Sequence, residues 1–234
     1  MFINIVRGYE LKSQLAIKKE SGDWHYDPMV PSTDTKYVGR IVNMNCSDIL
    51  TKEINWGDVR VHTEIEDNNT DEWDGLDRMK LDWISYGYND GNCQYQKVYD
   101  EIAPEYFHRI KKLCGLEHSN LQLLKQSPGQ CLPWHFDTFK RQTDTVVDDY
   151  GDSIFGKEDF KRYVVFLEDW HWGHFLQFGN SVLYQWKAGD IYCTNYGMYH
   201  LSCNGGLVSK YTMNVTGLPN ENSLHNIGEY KFSL

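Results

Sequence analysis

A mainly β fold with flanking helices, of the β-sandwich or jelly-roll kind, is what this sequence predicts. Short strand-like runs dominate the chain from Asn120 onward, at residues 121–126, 163–167 and 181–186. Turn residues separate them at short intervals: Pro128-Gly129, Gly179-Asn180, Ala188-Gly189-Asp190 and Asn204-Gly205-Gly206. Strands punctuated this often belong to two-sheet architectures.

In chain order, residues 1–98 mix β-like runs such as 37–42 with polar, turn-rich segments, and 64–77 is acidic. They are expected to form an extension packed on a core made by residues 99–234, the 234 residues together forming a single domain. A helix is predicted over 99–114, where Ile102, Tyr106, Ile110 and Leu113 recur at helical spacing. Pro104 fits its first turn, Lys111 and Lys112 suit the negative end of its dipole, and Gly115 can stop it. The polar interval 138–161 is long for a loop in a compact domain and is expected to cover a substrate.

Composition narrows the function. Hydrophobic residues at 41% and charged residues at 24% describe a packed chain and not a disordered one. A formal charge of −10 argues against nucleic acid as a partner, because phosphate backbones are held by clustered Lys and Arg. No run of about 18 apolar residues occurs and the N-terminus lacks a signal-peptide pattern, so neither a membrane nor export is expected. The six cysteines include no Cys-x-x-Cys pair and read as reduced thiols, which makes the cytoplasm the expected location. Asn-x-Ser/Thr triplets at Asn45, Asn68 and Asn214 are read as chance.

The chemistry sits at two places. His135 and Asp137 are two residues apart, so on an extended strand both side chains emerge on one face and can chelate one ion. His200 follows after enough chain for several strands to return to the same cavity. Two imidazoles and a carboxylate are the ligands of a facial triad, which leaves other positions on Fe(II) open for substrate and O2. Lys210 and Thr212 would face one way on a further strand, where a buried ammonium calls for an anion such as the far carboxylate of a dicarboxylate co-substrate. His171 and His174 form a rival pair of metal-ligating residues, but the triad explains more residues at once. Trp134, Trp170 and Trp172 suit either a substrate cleft or core and rim packing.

The run from Gln126 through Pro128-Gly129-Gln130 to His135-Phe136-Asp137 resembles the segment entering the metal site of Fe(II)/2-oxoglutarate-dependent dioxygenases, particularly prolyl 4-hydroxylase-like members. Gly189-Asp190, then His200 and a basic Lys210 ten positions on, is similar to the family's Gly-Asp turn, distal His and basic residue. The resemblance spans roughly residues 100–217. It implies a double-stranded β-helix, the jelly roll of cupin-like proteins, with iron held by His135, Asp137 and His200. It further implies 2-oxoglutarate anchored by Lys210, with Thr212 as a second donor and Gln126 beside them where many members carry Tyr.

The expected activity is hydroxylation of a peptide, amino acid or small organic substrate, with 2-oxoglutarate and O2 as co-substrates and succinate and CO2 as products. Two alternatives stand beside it: a non-catalytic β-sandwich binding protein, and a cupin-like metalloenzyme that does not use 2-oxoglutarate.

Overall fold

The structure, a computed structural model, describes residues 35–61, 80–135 except 82, 137, 139, 159–224 except 180, 196 and 197, and 230–232. The expected covering loop at 138–161 and the acidic stretch at 64–77 lie almost wholly or wholly outside the described residues.

The strands are β1 (Lys36–Ile41), β2 (Arg60–Val61), β3 (Gln94–Tyr99), β4 (Leu116–Gln126), β5 (Cys131–His135) and β6 (Lys161–Phe166). They continue as β7 (His174–Phe178), β8 (Ser181–Leu183), β9 (Asp190–Asn195), β10 (His200–Asn204), β11 (Lys210–Pro219) and β12 (Tyr230–Phe232). One helix, α1 (Glu105–Leu113), precedes β4. The large sheet runs β12-β1-β9-β6-β11-β4-β3-β2 and the small sheet β5-β10-β7-β8. Pairing is antiparallel except at β1–β12. Strands β4 to β11 divide evenly between the two sheets as the chain winds back and forth, which defines a double-stranded β-helix, the jelly-roll fold of cupins. From the preceding segment, β1 pairs with β9 and β3 with β4, so both extend the large sheet.

Period-two alternation gives the large sheet two different faces. Leu121, Leu123, Val165, Met213 and Val215 point to one side, where they form the main core with Phe107 and Ile110 of α1. Their neighbours Gln122, Gln126, Thr212 and Asn214 line a cavity on the opposite face. Val164 and Phe166 belong to the smaller apolar cluster that also holds Leu176 and Phe178 of the small sheet. The polar residues inside these strands thus face the cavity and not open solvent.

Three expectations need correction. The helix begins at Glu105, because Pro104 is extended (φ −58°, ψ 148°). Asp100 instead accepts from the Leu121 N–H and from Lys111, and Ile102 is left 71% exposed while Ile110 is buried. The strand expected over 181–186 stops at Leu183, while that over 121–126 extends back to Leu116. Cys131 and Cys203 are not thiols but a disulfide. They are 72 residues apart in sequence and directly paired across β5 and β10, with Cα atoms 4.2 Å apart. The other four cysteines are buried and free.

The Gly189-Asp190 turn ties β9 to β1. Gly189 has φ +87°, and a Cβ there would lie 2.1 Å from the Ile41 carbonyl oxygen. Asp190 accepts from Arg40 Nε (2.6 Å), Arg40 Nη2 (3.2 Å) and the Lys187 N–H (2.8 Å).

Candidate metal centre

His135 closes β5 and His200 opens β10, and the two are register partners across the ladder. The register shifts between His200 and Ser202, so that Leu201 of β10 opposes both Pro133 and Trp134 of β5. This bulge lets Leu132 and His135 both line the cavity although they are three residues apart. Asp137 lies just beyond the end of β5, not on the strand as its spacing from His135 suggested.

Ligand atoms of His135, Asp137 and His200 lie within 4.8 Å of one another, the single such group of His, Cys, Asp and Glu among the described residues. His135 Nδ1 donates to the Pro133 carbonyl (2.7 Å) and His200 Nδ1 to the Met198 carbonyl (2.9 Å). A carbonyl only accepts, so each Nδ1 carries the hydrogen and each Nε2 keeps a lone pair for a metal. Trp83 meets the His135 ring edge-on (6.0 Å) and donates its indole N–H to the Trp134 carbonyl (3.2 Å). Phe178 stacks against His200 at 5.0 Å. Burial, reinforced by His200, pushes the His135 imidazole down to about 3, so it is neutral and ligand-ready at physiological pH.

Asp137 has a cationic neighbour that the sequence reading missed. Arg162, at the start of β6, donates Nη1 to Asp137 Oδ2 and Nε to Thr216 Oγ1 (2.9 Å), with its guanidinium 4.5 Å from the Phe139 ring centroid. Burial opposes ionisation of Asp137, but Arg162 and His200 outweigh it and hold the carboxyl well below the usual range. Asp137 Oδ2 is also 3.4 Å from His200 Nε2. The donor set suits a divalent cation: two imidazole lone pairs and one ionised carboxylate converge on one cavity.

That cavity, about 690 Å³ including its solvent-filled mouth, also contains Gln126, Thr212 and Lys210. Lys210 is 3% exposed and donates to Phe175 O (3.0 Å), Ser202 Oγ (2.7 Å) and Cys203 O (3.0 Å). All three ammonium donors thus meet neutral oxygens, and burial lowers the Lys210 pKa well below its ordinary value. A buried lysine here does not require an anion. Ser202, also absent from the sequence reading, joins Lys210 to Gln126: its hydroxyl donates to Gln126 Oε1 (2.7 Å) while Gln126 Nε2 donates to the Ser202 carbonyl (3.0 Å).

The other candidates lie apart from this cavity's lining. His174 is bound to the Val208 carbonyl (2.9 Å), with His171 next to it at 5.6 Å between ring centroids. Trp134 stacks on Tyr199, Trp170 packs against Trp172, and Trp172 is 82% exposed. No helix among the described residues is long and apolar enough to cross a membrane.

No family model matches the chain. No curated protein matches it either. Among solved structures it is similar to a predicted oxalate decarboxylase from Thermotoga maritima, at 14% identity, with 54% of this chain and 82% of that chain covered and a TM-score of 0.33. It is similar to KdgF from Halomonas sp. at 7% identity, 55% and 82% coverage and a TM-score of 0.32. A cupin domain from Bordetella pertussis matches at 13% identity, 44% and 82% coverage and a TM-score of 0.28. The fold assignment itself comes from the strand order.

Proposed function

We propose that the chain is an Fe(II)- and 2-oxoglutarate-dependent oxygenase of the prolyl 4-hydroxylase-like kind. One observation carries the reading: a single cavity joins a two-histidine, one-carboxylate group to a buried lysine on β11 of the other sheet. His135 and His200 present their Nε2 lone pairs, and Asp137, oriented by Arg162, supplies the negative ligand. Bound iron, with 2-oxoglutarate and O2, supplies the oxidation that turns a substrate C–H bond into C–OH as 2-oxoglutarate becomes succinate and CO2. Lys210, Thr212 and the Gln126–Ser202 pair receive the far carboxylate of the co-substrate, with Ser202 Oγ yielding its place on the ammonium.

The test is an anaerobic titration of the Fe(II)-loaded protein with 2-oxoglutarate, following the visible charge-transfer band of a chelated 2-oxo acid. The band appears in wild type, is lost in His135→Ala, and requires much more 2-oxoglutarate in Lys210→Met. A second reading, a cupin-like metalloenzyme without 2-oxoglutarate, draws on the neutral partners that already satisfy Lys210. Iron binding with no band, and with Lys210→Met indistinguishable from wild type, favours that second reading.

A further inference from the structure

The strand that carries His135 has an outer side. Among the described residues β5 stands at the edge of the small sheet, with β10 as its one neighbour. An edge strand turns a row of backbone N–H and C=O groups outward, and these need partners from elsewhere in the chain or from water. Two backbone groups of β5 are met by the segment 83–93 that leads into β3. The Cys131 N–H donates to the Asn92 carbonyl (2.8 Å), and the Trp134 carbonyl accepts from the Trp83 indole N–H (3.2 Å). The contacts bracket β5, one at its first residue and one at the residue before His135.

The segment is itself held in shape. The Trp83 carbonyl accepts from the N–H groups of Tyr86 (3.1 Å) and Tyr88 (3.0 Å), which closes a turn directly behind the indole. The Asn89 carbonyl accepts from the N–H groups of Asn92 (3.1 Å) and Cys93 (2.9 Å), and its side chain accepts from the Gly91 N–H (2.8 Å). Trp83 and Cys93 are fully buried. Trp83 thus reaches His135 by two routes from a fixed base: through the peptide that precedes it, and through its ring, which lies 6.0 Å from the indole between centroids at an interplanar angle of 87°. The hydrogen bond from His135 Nδ1 to the Pro133 carbonyl selects the tautomer. The last torsion of a histidine is soft, so the plane of the ring needs a wall as well.

Resting on the metal centre of the oxygenase reading and not on its co-substrate, we propose that Trp83 is a positioning residue for that centre. By holding the Trp134 peptide and the plane of the His135 ring, it sets the direction of the His135 Nε2 lone pair. The segment ahead of β3 then takes part in ligation although it supplies no candidate ligand. Groups that orient a ligating histidine are worth about 10–100-fold in metal affinity.

The test uses the full chain, with Zn(II) affinity read by isothermal titration and the metal-free histidine rings read by proton–nitrogen correlation NMR. Signals absent from His135→Ala identify His135. Trp83→Leu is expected to weaken Zn(II) binding by about 10–100-fold and to broaden the His135 ring signals, which are sharp and of the Nδ1–H tautomer in wild type. Trp83→Phe keeps an aromatic ring and drops the indole N–H; it is expected to lose less, and it carries the test should Trp83→Leu not fold. Phe107→Leu shortens an equally buried side chain of the main core and is expected to leave both readouts at their wild-type values. Wild-type affinity in both Trp83 variants, an equal loss in Phe107→Leu, or a loss with His135 signals unchanged overturns the assignment. A wild-type chain that binds no Zn(II) removes the metal centre itself. Tight Zn(II) binding beside an absent charge-transfer band removes only the 2-oxoglutarate reading and leaves the role of Trp83 standing.

Discussion

The rings of His135 and His200 face each other across the β5–β10 ladder at 4.1 Å between centroids, each fixed by a backbone carbonyl two residues earlier. A neutral His135 held this close to His200 and to the ionised Asp137 is arranged for an external cation. His135→Ala should therefore lower Zn(II) affinity by at least about 100-fold, since losing only a ligand's supporting partner costs about 10–100-fold. Isothermal titration measures it, and an unchanged affinity would remove the metal centre.

Arg162 supports Asp137 from β6. Replacing it as Arg162→Gln should destabilise the metal-free protein by about 2 kcal/mol, less than a fully buried pair would lose because Asp137 is 35% exposed. Chemical denaturation with and without Zn(II) reads the effect. Added metal should recover part of the loss by supplying the missing positive charge, and an equal loss in both conditions argues for a purely packing role.

The pH dependence of the metal-free protein has a definite sign. His135 is held at about 3 when folded against an ordinary value near 6.5, so between these limits the unfolded chain binds more protons. Stability is full above about 6.5 and falls as the pH drops toward 3, with about 2 kcal/mol gone at pH 5. Asp137, its own pKa depressed, adds a further loss only in stronger acid. Denaturation midpoints between pH 7 and 5 give the slope, and a flat profile contradicts a neutral buried His135.

The disulfide is directly countable. Denatured, unreduced protein should show four reactive thiols, rising to six after reduction. Six before reduction would return Cys131 and Cys203 to the thiol reading.

Gly189→Ala should cost about 3 kcal/mol, because a Cβ meets the Ile41 carbonyl and the backbone is left-handed there. Thermal unfolding compares it with Gly57→Ala, also at positive φ but with nothing within 4 Å of its added Cβ. Equal losses at the two positions would mean that backbone strain dominates and the close approach of β1 does not.

Much of the fold was legible because the strands of the jelly roll alternate and the turns between them are rich in Gly, Pro and Asn. The candidate ligands were legible from residue type and spacing, as were Lys210 and Thr212 as a pair facing one way, whereas Gln126 entered only through the family resemblance; all three line the same cavity. Arg162 was not, because it stands at the boundary of a polar segment and only sheet pairing brings it to Asp137. Ser202 and Trp83 escaped for the same reason: their roles are long-range contacts with no local signature. The Cys131–Cys203 pair shows the limit most plainly, since no sequence spacing reveals which strands will be neighbours.

Strand β3 lies beside the eight strands of the β-helix and contributes none of the metal ligands, yet it carries Tyr95 and Lys97 into the cavity wall. The cavity wall can therefore vary without touching the candidate ligand group: exchanging residues 94–99 as a cassette gives the chamber a new side while His135, Asp137 and His200 stay as they are.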